Sequence, residues 1–175
     1  LSRSMKKVVE ETLHILNIYQ LPQVPEGPIR EMIEAGAAED KIMLIKGDRR
    51  EYPDLKTTLA AGRFLDDAID EETDWVFIPG ALTQSVIGDI HPSKLKGVTF
   101  VLKDPTKIFI GATPWQQLRK RGFQVNVLEN IQVAALTVNP YSPSGYSFDH
   151  RELLTAMREA VGDLPVIDVR YGEQD

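Results

Sequence analysis

The chain contains no cysteine among its 175 residues. Disulfides, thiolate metal sites and thiol nucleophiles are therefore excluded together. Histidine is scarce too. His14, His91 and His150 never fall at i, i+3 or i, i+4, so a histidine-built metal site is not expected. No apolar run approaches the roughly 18 residues of a membrane span, so no membrane partner is expected. Positive charge is the minority: 20 Lys and Arg against 26 Asp and Glu give a net charge of −6. A nucleic-acid partner needs a basic face to neutralise phosphates, and none is foreseen. The one basic cluster, Arg119-Lys120-Arg121, reads more simply as a solvated helix end near the negative pole of its dipole.

What is present is ordinary for a globular chain, with 42% hydrophobic and 26% charged residues. That length suits one domain burying roughly 70% of its unfolded surface. The composition is expected of a cytoplasmic protein. The opening Leu1-Ser2-Arg3-Ser4-Met5 suggests either a true start at Met5 after tag residues or, as the favoured reading, a piece of a longer protein. Other domains of that protein, or a second copy, are then possible partners.

The segment from Ile131 to Val169 carries the clearest pattern. It reads as a strand (Ile131 to Val138), a polar loop (Asn139 to Phe148), a helix (Asp149 to Val161) and a strand (Pro165 to Val169). Parallel strands need a crossover of a dozen or more residues, usually helical. Asp149 and Glu152 have the spacing of a capping box at the helix start. Upstream, Val9, Leu13 and Leu16 recur at helical spacing, and three prolines between Leu21 and Pro28 end that helix. Residues 1–26 are thus read as a helix and linker, and residues 27–175 as an α/β domain.

Within that domain Ile42 to Ile45 and Trp75 to Ile78 are continuous apolar runs, as in strands covered on both faces. Leu55 to Ile69 reads as a helix capped by Asp54. A short helix is expected from Ala81 to about Ile87. Val98 to Leu102 and Lys107 to Ile110 flank an Asp104-Pro105-Thr106 turn, as a hairpin or a strand beside an edge strand. Pro114 to Arg121 reads as a helix ended by Gly122, and Phe123 to Val127 as a strand. The acidic run from Asp66 to Asp74 reads as a solvated helix end. The expected fold is a single mixed, mostly parallel sheet of about six strands with helices on both faces, a three-layer Rossmann-like arrangement.

Three loops after apolar strands are expected to gather at one sheet edge, where α/β proteins bind ligands. The first carries Arg49 and Arg50, whose guanidinium groups pair with carboxylate or phosphate. Lys56-Thr57-Thr58 follows it, but the glycines of a phosphate loop are absent and that site is rejected. The second loop carries Gly80 before a helix start, where free backbone amides favour anions, with Thr83 as a hydroxyl donor. The third, Asn139 to Phe148, is longer than a strand-to-helix connection needs. Its prolines can hold Tyr141 and Tyr146 in position to cover a flat ligand. A strand ending in Asn139, then a loop, a helix and Leu164-Pro165-Val166, loosely resembles the late βαβ unit of several nucleotide-binding α/β proteins. Without a phosphate loop, that resemblance assigns no family and no residue role.

Ser142 or Ser144 with His150 and Asp168 form no recognisable triad, because the G-x-S-x-G elbow is missing. Asp168 interrupts an apolar strand; on an edge strand it would simply be solvated, the favoured reading, and on a central one it would need a partner such as an arginine. The leading functional expectation is a non-catalytic ligand-binding or regulatory module for a small anionic metabolite or nucleotide. Its ligand would be held by Arg49, Arg50, Gly80, Thr83, Asn139, Tyr141 and Tyr146. The alternatives are an enzyme on a phosphorylated or carboxylated substrate, using Asp48 or His150, and an assembly domain docking through its first helix.

Overall fold

A computed structural model describes residues 1–47, 55–59 and 65–172. They form two compact units, Ile18–Ile131 and the pair of segments Leu1–Asn17 and Gln132–Asp175. The opening helix α1 (Arg3–Ile18) thus falls mostly with the C-terminal segment.

The larger unit runs through α2 (Pro28–Ala37), β1 (Ile42–Lys46), β2 (Leu55–Leu59), α3 (Leu65–Ala68) and β3 (Thr73–Ile78). Then come β4 (Leu82–Thr83), α4 (Gln84–Gly88), α5 (Pro92–Leu95) and β5 (Thr99–Leu102). A 3-10 turn (Pro105–Lys107), β6 (Ile108–Phe109), α6 (Ala112–Lys120) and β7 (Gln124–Val127) complete it. Its main sheet has five strands in the order β2-β1-β3-β5-β7. Strands β3, β5 and β7 are parallel, whereas β1 runs antiparallel to both β2 and β3. The fold is mixed α/β.

The apolar runs explain why these segments pair. Phe100, Val101 and Leu102 are all fully buried, so both faces of β5 are covered. Alternate residues divide between two clusters, as the period of a strand dictates. Leu44, Val76, Phe100 and Val125 pack with Ile87, Leu95, Trp115 and Leu118 from α4, α5 and α6. Met43, Ile45, Phe77 and Val101 pack instead with Ile33 of α2 and with Val24. The steps β3 to β5 and β5 to β7 cross the sheet in one direction, and right-handed crossovers then place their helices on one face. The opposite face falls to α2. Phe100 and Phe123 lie 5.0 Å apart by ring centroid, and Trp115 meets Phe123 edge-on at 6.0 Å. Gly122 ends α6 with φ of +89°, the left-handed conformation expected of a helix-ending glycine.

In the smaller unit β8 (Leu136–Val138) and β9 (Val166–Asp168) form a parallel pair joined through α7 (His150–Val161). This is the βαβ unit expected from the sequence. The Asp149 side chain accepts a hydrogen bond from the Glu152 amide at 2.9 Å, capping α7. Met5 and Val9 of α1 pack with Val138, Leu153, Met157 and Val166. The inner face of α1 is thus used within its own unit, which leaves Val8 and Ile15 exposed.

Several expectations need correction. Leu55 to Ile69 is not one helix: it begins as β2, and the helix is only α3. Leu55, Thr57 and Leu59 alternate with polar or β-branched residues, and pairing with β1 overrides the coincidental helical spacing of the leucines. Val98 to Leu102 and Lys107 to Ile110 form no hairpin. Strand β5 lies inside the main sheet, while β6 pairs in parallel with β4. Among the described residues the main sheet has five strands rather than about six, and β8 and β9 form a sheet of their own. The strand expected from Ile131 begins only at Leu136.

Candidate functional site

Strand direction decides where the expected loops go. Because β1 opposes β3, Lys46 at its end pairs with Thr73 at the start of β3. The Gly47 amide donates to the Glu72 carbonyl at 3.3 Å, so the chain leaves β1 at the amino end of the parallel strands. The loop after β3, Pro79-Gly80-Ala81, leaves at their carboxyl end. The first two loops therefore depart from opposite ends of the sheet, contrary to the shared edge expected. Arg49 and Arg50 themselves, like Asp48, lie outside the described residues. Gly80 is exposed with open space around its Cα, so no close backbone approach demands glycine there. The Thr83 hydroxyl accepts from the Val86 amide at 3.3 Å and lies 3.2 Å from that of Ser85. It serves as the N-cap of α4, a helix of five residues.

At the carboxyl ends of β5 and β7 lies a cleft of about 410 Å³, within the size range of small-molecule sites. Its polar walls are Glu34 on α2, Lys103 and Asp104 after β5, and Glu129 after β7, with Leu128 and Ala37 beside them. Hydrogen bonds set this edge. The Leu128 amide donates to the Leu102 carbonyl at 2.9 Å, and the Glu129 amide to the Lys103 carbonyl at 2.9 Å. Asp104 Oδ1 accepts from the Thr106 amide at 2.8 Å and from the Thr106 hydroxyl, which turns the chain toward β6. Arg30 Nη1 donates to the Val24 carbonyl at 2.8 Å and Nη2 to the Leu128 carbonyl at 2.6 Å. Its Nε meets Glu34 at 2.7 Å. One guanidinium thus ties α2 to the end of β7. Among the described residues no carboxylate lies within ion-pairing distance of Lys103, so its ammonium can still take a partner.

The amino end holds a broader cleft of about 650 Å³, lined by Asp67, Asp70, Glu71, Lys94 and Lys96. Its size does not make it the better site, because its nearest charges neutralise each other. Lys46 bonds to Asp70, and Lys94 lies 3.6 Å from Asp66. The Lys46 hydrogen bond holds the Asp70 carboxyl below the usual range, and the His91 amide does the same for Asp66. Two acids of the run, Asp66 and Asp70, are thus ion-paired, while Asp74 is buried at the start of β3 and is not part of a solvated helix end. Among the described residues no group of three or more His, Asp or Glu is arranged to hold a metal ion.

The smaller unit has its own carboxyl edge. Val138 pairs with Asp168 across the two strands, so Asn139 and Asp168 stand at neighbouring strand ends. Asp168 is 1% exposed. Its Oδ1 accepts from the Arg170 amide at 2.8 Å and the Tyr171 amide at 3.1 Å, while Oδ2 has no hydrogen-bond partner among the described residues. Asp168 is therefore buried, not solvated as an edge position would leave it, and backbone amides rather than a side-chain partner such as arginine hold this acid. The Tyr141 and Tyr171 hydroxyls meet at 3.0 Å, and the His150 ring stacks on Tyr171 at 4.3 Å. The Arg170 guanidinium lies 4.7 Å above the Tyr141 ring. The hydrogen bond with Tyr141, aided by the Asp168 charge, pushes the Tyr171 hydroxyl pKa up.

The third expected loop folds on itself. Asn139 Oδ1 accepts from the Tyr141 amide at 3.1 Å, the Ser142 amide donates to the Tyr146 carbonyl at 2.7 Å, and Ser142 and Ser144 hydroxyls meet at 2.8 Å. Tyr141 therefore joins the ring array, while Tyr146 packs edge-on against Phe148 at 5.1 Å. Lys103, Glu129, Arg170 and Tyr171 were not singled out from the sequence. Their signal is positional: each follows an apolar strand within a few residues. No known protein-family model, curated protein or solved structure matches this chain.

Proposed function

We propose that this chain is a non-catalytic ligand-binding module whose ligand, a small anionic metabolite or nucleotide, occupies the cleft beyond β5 and β7. The main sheet is read here as the middle of a three-layer, Rossmann-like arrangement. In such sheets the space beyond the carboxyl ends of parallel strands is the usual ligand site. One observation carries the reading: that space holds a cleft of about 410 Å³ with Lys103 at its wall, a lysine that no carboxylate among the described residues pairs with. Lys103 would take the anionic group. Glu34, Asp104 and Glu129 are acceptors, so the rest of the ligand must supply donors, as a hydroxylated sugar phosphate or an amino acid does. A purely anionic ligand would be repelled by Asp104 and Glu129, since among the described residues only Glu34 has its charge met, by Arg30.

The test is calorimetric titration of the full chain with ribose 5-phosphate, AMP, glutamate and inorganic phosphate. At least one hydroxyl- or amine-bearing anion should bind, and Lys103→Ala should weaken it about tenfold, the worth of one charged hydrogen bond. Equal affinity in Lys103→Ala, or binding by none of these probes, removes the support for this site.

A further inference from the structure

We propose that the carboxyl edge of β8 and β9 is a second site, specific for an organic cation of the guanidinium or alkylammonium class. Three observations meet there. First, Asp168 is 1% exposed and keeps one carboxylate oxygen without a partner among the described residues. A buried carboxylate oxygen left unbonded is costly, and a donor that reaches it recovers that cost. Second, Tyr141, Tyr171 and His150 stand together beside it as a ring array, with Tyr141 42% exposed. Aromatic faces attract cations within about 6 Å of the centroid. Third, such a cation is already seated: Arg170, of the same chain, places its guanidinium 4.7 Å over the Tyr141 ring.

The third point fixes the ligand class. Arg170 shows which charge the ring face accepts, and its side chain is exposed. A ligand cation would replace it over Tyr141, and a second donor group on the same ligand would reach Asp168 Oδ2, which the Arg170 guanidinium does not bond. An anion would instead meet Asp168 and the capping carboxylate of Asp149. This site is independent of the cleft beyond β5 and β7, because it uses none of the same residues.

The experiment is a titration of the full chain with agmatine, followed through the ring protons of Tyr141 and Tyr171 by NMR, with inorganic phosphate as the anionic control. Agmatine should shift both rings and phosphate neither. Arg170→Ala removes the internal competitor and should tighten agmatine binding several-fold. Tyr141→Leu, a surface change that spares the core, should weaken it about fivefold, the worth of one exposed cation–π contact. Asp168→Asn should weaken it further, with near-UV circular dichroism confirming that this variant folds. The proposal is overturned if Arg170→Ala weakens or leaves unchanged the binding of agmatine, if phosphate moves the rings instead, or if agmatine moves neither ring in any variant. Lys103→Ala should leave all these results intact, which separates this site from the one proposed above.

Discussion

The two carboxyl edges of this molecule spend their polar groups differently. In the larger unit the sheet is wide enough to be covered on both faces, and β5 carries only apolar residues between Phe100 and Leu102. At this carboxyl edge the polar side chains follow the strands, where Asp104 turns the chain and Arg30 clips α2 to β7, although β3 buries Thr73 and Asp74 at its amino end. In the smaller unit two strands cannot build such a slab, and a carboxylate at Asp168 is drawn under cover at the strand end itself. Two backbone amides satisfy one of its oxygens, and the other is left over. A wide sheet can segregate its polar groups into turns. A narrow one leaves them close to its core, where they are both a cost and a means of recognition.

The sharpest way to test this contrast is to open a cavity in each core. Phe100→Ala removes a fully buried ring packed 5.0 Å from Phe123 and should cost about 3–5 kcal/mol. Leu153→Ala in α7 should cost about 2–4 kcal/mol, since a smaller side chain leaves a smaller void. Hydrogen exchange read by peptide assigns each loss: β3, β5 and β7 for the first, α7 and β9 for the second. A larger loss from Leu153→Ala would mean that the two-stranded unit carries more of the stability than its width suggests.

Arg30→Ala comes next. It leaves the buried Val24 carbonyl without its guanidinium partner and the Leu128 carbonyl with only the Gln23 side chain, at 3.1 Å. Loss of these charge-assisted bonds should cost about 2 kcal/mol by denaturant unfolding. Arg30→Lys should recover less than half of that, because a single ammonium cannot span both carbonyls as the fork does. Full recovery with lysine would show that charge alone holds α2 there.

How much of this was legible beforehand depended on whether the signal was local. The β8–α7–β9 unit was readable because a capping box, a helical stripe and flanking apolar runs agree within some forty residues. Buried strands β1 and β3 announced themselves as apolar runs. Strand direction did not, because nothing in Ile42 to Lys46 says which way it faces Thr73 to Ile78. That single unknown separated the Gly80 loop from the loop after β1 and so dissolved the common edge. Leu55 to Leu59 was misread because leucines at helical spacing also alternate at strand spacing, and only pairing with β1 decides. Lys103 and Glu129 were invisible as site residues since they adjoin only through the parallel register of β5 and β7.

The smallest expected effect contrasts the two units by acid. Asp70 in the larger unit is held below its ordinary pKa of 3.8 by the Lys46 hydrogen bond. Asp149 in the smaller one is held below the same value by the Glu152 amide at the start of α7. In both, the folded state binds its proton less readily than the unfolded chain. The stabilisation is therefore complete above the unfolded pKa and is lost as pH falls through the lowered folded one. Asparagine caps helices about as well as aspartate, so Asp149→Asn should melt like the parent at neutral pH. On acidification its decline should be shallower, because the capping group no longer titrates. Asp70→Asn should flatten the same limb but also lose its ion pair with Lys46 at neutral pH. Far-UV circular dichroism melts from about pH 6 down to about pH 3 bracket the ordinary carboxylate range and separate the two. Curves for Asp149→Asn that stay parallel to the parent throughout would mean the cap's charge contributes nothing beyond its geometry.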